Sequence, residues 1–100
     1  MSVYVIASYD ITDPKVFETY PPGVMPLLHK HGAEVLVADF AAQAVEGQAS
    51  GAHVVIRFPS EEAARNWYND PAYAPVRQIR LNSTKNGNAV LAKEFAAPSA

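Results

Sequence analysis

The chain has no cysteine among its 100 residues. That excludes disulfides, thiolate nucleophiles, iron–sulfur clusters and zinc sites built on thiolates. It also lacks any block of like charge: 8 basic and 10 acidic residues are interspersed, for a formal net charge of -2. A nucleic-acid groove needs a basic stripe to neutralise phosphates, and a membrane-surface patch needs clustered lysine and arginine. The expectation is no nucleic-acid partner and no membrane partner. No run is long and apolar enough to span a bilayer. The opening Met1-Ser2-Val3-Tyr4-Val5 has neither the basic n-region nor the cleavage site of a secretory leader, so a cytoplasmic protein is expected. Also missing are a phosphate-cradling glycine loop, a dinucleotide fingerprint, an HExxH helix and a serine in a nucleophile elbow. His29 and His31 stand two apart on a helical stretch and point to different faces, which is poor metal geometry. Neither a metal nor a cofactor is expected.

What the chain does have is apolar content, 49% of its residues, enough for the core of one domain. A domain this small leaves much of its surface exposed, and burying one face against a second copy would help it. Val3 to Tyr9 reads as a strand of β-branched and aromatic residues. Asp13 caps a helix whose first residue is Pro14, where a missing N–H costs nothing. Phe17, Tyr20, Val24, Leu27 and Leu28 recur at helical spacing across Pro21-Pro22-Gly23. Two helical pieces with a kink near Tyr20 are expected, the second ending before Gly32.

Further strands are read at Glu34 to Phe40 and His53 to Phe58, the latter followed by a helix capped by Ser60 with Glu61 and Glu62 in its first turn. Asp70-Pro71 stops that helix, and Pro75 opens a short one with Val76 and Ile79 inward. Asn82 to Asn88 reads as a turn-rich loop and Ala89 to Phe95 as the last strand. The order β-α-β-β-α-β is that of the ferredoxin-like split βαβ motif. A single α+β domain over residues 1–95 is expected, with residues 96–100 a flexible C-terminal tail.

Several pieces carry a family resemblance. They are Tyr9-Asp10-Ile11-Thr12-Asp13-Pro14 with Phe17 and Tyr20, Pro26-Leu27-Leu28 leading to His31-Gly32-Ala33, Glu46-Gly47, the stretch Phe58 to Tyr73, and Arg80. On these the chain resembles the DUF1330 family of small bacterial proteins. That family in turn resembles the dimeric α+β barrel superfamily, in which two ferredoxin-like protomers pack sheet against sheet and each keeps a cleft between sheet and helices. The resemblance implies an antiparallel sheet and a homodimer. It does not choose a function, because the superfamily holds monooxygenases, isomerases, haem-dependent enzymes and non-enzymatic ligand binders.

The candidate site residues follow from chemistry and strand period. An imidazole as a side-chain type titrates near neutral pH, which makes His53 the one candidate for a catalytic proton shuttle. Alternation places His53 and Arg57 on one face of their strand and Val54, Ile56 and Phe58 on the other. Tyr4 and Ser8 lie on the more polar face of the first strand. Arg57 and Arg80 could grip a carboxylate or phosphate. Trp67 and Tyr68 diverge by about a quarter turn, one toward the sheet. Tyr20, Tyr68 and Tyr73 could offer phenolic hydroxyls.

The leading expectation is a cleft for a small organic acid or aromatic, lined by Tyr4, Tyr20, His53, Arg57, Trp67 and Arg80. The alternatives are a cofactor-independent monooxygenase or isomerase of the superfamily's kind, or a dimerisation module with no ligand at all.

Overall fold

The computed structural model describes residues 1–96. All of the expected tail except Ala96 lies outside the described residues. The elements run β1 (Val3–Ile11), α1 (Pro14–Phe17), α2 (Tyr20–Lys30), β2 (Glu34–Asp39), β3 (Ala52–Phe58), α3 (Glu61–Tyr68), α4 (Tyr73–Ser83) and β4 (Thr84–Lys93). The strands form one antiparallel sheet in the order β2-β3-β1-β4. Each α step of the ferredoxin-like pattern is a pair of helices, and the break between α1 and α2 falls where the kink was expected.

Local chemistry explains the breaks. Asp13 accepts a hydrogen bond from the Val16 N–H at 3.1 Å and starts α1 with Pro14 in its first turn. Pro21 and Pro22 do not interrupt a helix; they open α2, whose first-turn N–H groups have no partner to lose. Gly32 closes α2 at a φ of +73°, a left-handed geometry that favours glycine. Ser60 accepts from the Ala63 N–H at 3.1 Å to cap α3.

Two boundaries differ from expectation. Helix α4 begins at Tyr73, not Pro75, because Asp70 builds the turn before it: its side chain accepts from the Ala72 N–H at 2.9 Å and its carbonyl from the Tyr73 N–H at 2.8 Å. The expected loop from Asn82 to Asn88 is absent. Helix α4 runs through Ser83 and β4 starts at the next residue. The polar residues that read as a turn serve this junction instead. The Ser83 hydroxyl donates to the Ile79 carbonyl at 2.6 Å, Thr84 donates to the Arg80 carbonyl at 2.7 Å, and the Ser83 carbonyl accepts from Thr12 at 2.8 Å. Asn86, at φ +54°, sits at a register shift between β1 and β4 and donates to Asp10.

One face of the sheet lies under the helices. It carries Val3, Val5, Ala7 and Tyr9 of β1 beside Phe58, Ile56, Val54 and Ala52 of β3. Val24 and Leu28 of α2, Trp67 of α3 and Tyr73 of α4 complete the core. Gly23 lets α2 approach α4 closely, since a Cβ there would meet Val76 at 3.2 Å. The opposite face is uncovered and ordered in three cross-strand rows: Glu34–Arg57–Tyr4–Ala92, Val37–Val55–Ile6–Val90 and Asp39–His53–Ser8–Asn88. Among the described residues no helix is long and apolar enough to cross a membrane.

The end of α2 is tied to the α3–α4 turn through Asp70, whose carboxylate bonds His31 Nε2 and Lys30 Nζ at 2.9 Å each. The His31 and Lys30 contacts hold its carboxyl well below the usual carboxylate range. A depressed native value contributes stability above the unfolded-state value of 3.8 and loses it as pH falls further toward the native value. Urea midpoints measured from pH 6 downward should therefore fall through about pH 4 and below, and Asp70→Asn should flatten that acid limb while lowering the neutral midpoint. An unchanged limb in the variant would assign acid sensitivity to other groups.

Candidate functional site: an apolar cavity with one buried arginine

A cavity of about 100 Å³ lies between the helix-covered face of the sheet and helices α2, α3 and α4. Strand period explains its floor, since Val5, Ala7, Val54 and Ile56 are inward residues of β1 and β3. Val24, Met25 and Leu28 project from one face of α2 to form the roof. Trp67 closes one wall, stacked on Tyr73 at 4.5 Å between ring centroids and on Phe58 at 5.4 Å. Met25, Phe40 and Tyr68 line the cavity and remain exposed, which marks where it reaches the surface.

Polar atoms gather at one end. The Tyr20 and Tyr73 hydroxyls, brought together where α2 and α4 both begin, lie 2.6 Å apart. Arg80, two turns along α4 from Tyr73, is only 8% exposed. Its guanidinium lies 5.9 Å from the centre of the Tyr9 ring. None of the ion pairs among the described residues includes it. A buried cation without a carboxylate partner is costly, so this one stands out against an otherwise apolar lining.

Electrostatics keep Tyr9, Tyr20 and Arg80 protonated. Burial raises the Tyr20 hydroxyl far above its ordinary value, with Tyr73 adding to the effect. Burial likewise raises Tyr9, against the opposing pull of Arg80. For Arg80 burial works against the charge, and the value is raised only because Tyr73 and Tyr20 act the other way, chiefly through charge they carry once ionised, far above neutral pH. Trp67 Nε1 is buried and has no hydrogen-bond partner among the described residues.

Of the six residues expected to share one cleft, the cavity gathers Tyr20, Trp67 and Arg80. Tyr4, His53 and Arg57 lie on the uncovered face, on the far side of the sheet from it. There Arg57 pairs with Glu34, and His53 faces Asp39 and Ser8, its buried Nδ1 without a partner among the described residues. His53 has no path to a ligand in this cavity without crossing the sheet. Tyr9 is the site residue that sequence reading left out. Its signal was present: it follows Val3, Val5 and Ala7 on the inward face of β1 by period two. Among the described residues no cluster of three or more His, Asp or Glu side chains could hold a metal ion.

In fold the chain is similar to a protein of unknown function from Rhodopseudomonas palustris, with a TM-score of 0.80 at 13% identity, covering 96% of this chain and 84% of that one. It is similar to a dimeric protein of unknown function and ferredoxin-like fold from Bacteroides fragilis, at TM-score 0.64 and 13% identity over 94% and 96% of the two chains. SnoaB, a cofactor-independent oxygenase from Streptomyces nogalater, is similar at TM-score 0.64 and 14% identity over 99% and 95%. At such identities the likeness shows the fold alone. Among curated proteins, none matches the chain in sequence. Residues 2–95 do match one family, described as a domain of unknown function, DUF1330, and the chain belongs to it.

Proposed function

We propose that this protein binds a small aromatic or apolar organic acid in the cavity between sheet and helices, as a homodimer joined through its uncovered sheet face. The observation that carries the reading is Arg80: buried, without an ionic partner among the described residues, and placed at the polar end of an apolar pocket. Binding sites combine an apolar lining with a few convergent polar groups in this way. Trp67 and Tyr20 cover the apolar part of the ligand and Arg80 holds its acidic group. Tyr4, His53 and Arg57 belong to the dimer face, whose middle row of Val37, Val55, Ile6 and Val90 offers an apolar stripe for a second copy. That a protein of similar fold from Bacteroides fragilis is dimeric supports a dimer here.

The likeness to a cofactor-independent oxygenase raises a second reading, oxygenation or isomerisation. Such chemistry calls for a proton-transfer group at the substrate. Among the described residues no histidine or carboxylate lines this cavity, and burial raises the Tyr9 and Tyr20 hydroxyls away from a role in proton transfer near neutral pH, so binding is the better-supported reading.

Native mass spectrometry of the purified protein tests both parts. The expected result is a dimer carrying a small acidic molecule, and a Val54→Trp variant that dimerises but is empty, because the indole fills the cavity. A monomer would overturn the dimer. A ligand retained by Val54→Trp would overturn the site.

A further inference from the structure

Resting on that reading, we infer that the cavity takes its ligand as a singly charged oxyanion on a small ring, and that it drives the ionisation of a weak oxygen acid such as a phenol or enol. This follows from a count of protons among the residues that line the cavity. Arginine is donor-only, and so is an indole N–H. Arg80 lacks an ionic partner among the described residues, and Trp67 Nε1 lacks any hydrogen-bond partner there. The Tyr20 and Tyr73 hydroxyls share one bond. One of their two protons is spent in it and the other is left to donate elsewhere. Donor protons thus outnumber acceptors, and among the described residues no carboxylate lines the space.

A ligand that brings acceptor oxygens and one negative charge corrects both imbalances. A neutral ligand leaves Arg80 without a counter-charge in a largely apolar site. A doubly charged phosphate overshoots, because among the described residues Arg80 is the only cationic side chain lining the cavity. The volume of about 100 Å³ sets the size. A dry cavity of roughly 150 Å³ accommodates benzene, so the scale is one ring, its oxygen group at the arginine and its far edge reaching the open end.

The consequence is a shift in the ligand's own acidity. Arg80 and the surplus donors favour the ionised form, as an oxyanion hole does. A phenol that enters neutral gives its O–H proton to bulk water, while its oxygen keeps the electron pair and accepts from the surrounding donors. Nothing in the protein has to take the proton up.

The test uses 4-nitrophenol, whose anion is yellow and whose ionisation falls near neutral pH, beside 4-nitrotoluene, a probe of similar shape that does not ionise in this range. Binding of each is read from quenching of Trp67, the single tryptophan. The expected result is that bound 4-nitrophenol titrates lower than free by about 1–3 pH units, the effect of an opposite charge at contact range. Arg80→Met should return that midpoint to the free value or above while still binding 4-nitrotoluene, and Arg80→Lys should keep part of the shift.

The wild-type titration decides by itself, whatever the variants do. A bound midpoint equal to or above the free one, with 4-nitrotoluene binding intact, sinks this inference and leaves the cavity reading standing. If neither probe quenches Trp67, both fall. Benzoate should displace 4-nitrophenol and inorganic phosphate should not; the reverse order would overturn the single charge.

Discussion

Arg80→Met should make the unliganded protein more stable. A buried charge without an ionic partner is disfavoured by desolvation, and replacing buried charges with apolar side chains of similar volume is neutral or stabilising, on the order of 1–4 kcal/mol. Met fills much the same space and keeps helix propensity. Its chain would lie against Tyr9, Tyr20 and Tyr73, and the Tyr20–Tyr73 bond at 2.6 Å would survive. The expected result is a higher urea midpoint at unchanged slope, together with loss of affinity for acidic ligands. That combination, a residue held against the interest of the fold, is the mark of a binding site. A lower midpoint would make Arg80 a structural residue whose tyrosine contacts outweigh its burial, and the case for a site would weaken with it.

Phe58→Ala should have the largest effect on folding. Phe58 is 0% exposed, ends β3, and packs against Trp67, which in turn stacks on Tyr73. Truncating a buried phenylalanine costs about 3–5 kcal/mol from lost burial and the void left behind. Domains of this size are stable by about 5–15 kcal/mol in all, so little would remain. Thermal unfolding should drop by roughly 20 °C, with earlier exposure of Trp67 seen as a red shift in its fluorescence. A drop of only a few degrees would mean that α3 relaxes into the space, so the wall of the cavity would be plastic.

The fold was legible where punctuation and period agree. Asp13-Pro14, Ser60 with its acids, Gly32 and Asp70-Pro71 each mark a boundary by local chemistry, and those boundaries stand within a few residues. Legibility failed at Asn82 to Asn88, where the same residue types that make turns also satisfy a helix end and a strand irregularity. Composition cannot separate the two uses; only the partners can, and they are Ile79, Arg80, Thr12 and Asp10, distant in part along the chain.

The site was legible by half for a related reason. Period two separates the faces of a strand and says which is apolar. It does not say that the apolar face hides a cavity, so the polar residues of the uncovered face drew in Tyr4, His53 and Arg57. Arg80, Tyr20 and Trp67 sit on helices, whose inward side is set by the same pattern that builds the core. Tyr9 was overlooked because its ring reads as core, while its neighbours in space come from α1, α2 and α4.

The direct passage from α4 into β4 has a consequence for how fast and how sharply this pocket can work. Thr84 holds the Arg80 carbonyl, and Ser83 fixes the turn to β1. The guanidinium is therefore hung from a backbone anchored on both sides, with no hinge beside it. A guest then freezes no loop and forfeits little chain entropy on arrival. Capture should proceed in a single fast phase, gated by side-chain rotations at Met25, Phe40 and Tyr68, and discrimination between guests should come from rigid fit at the arginine, not from closure around them.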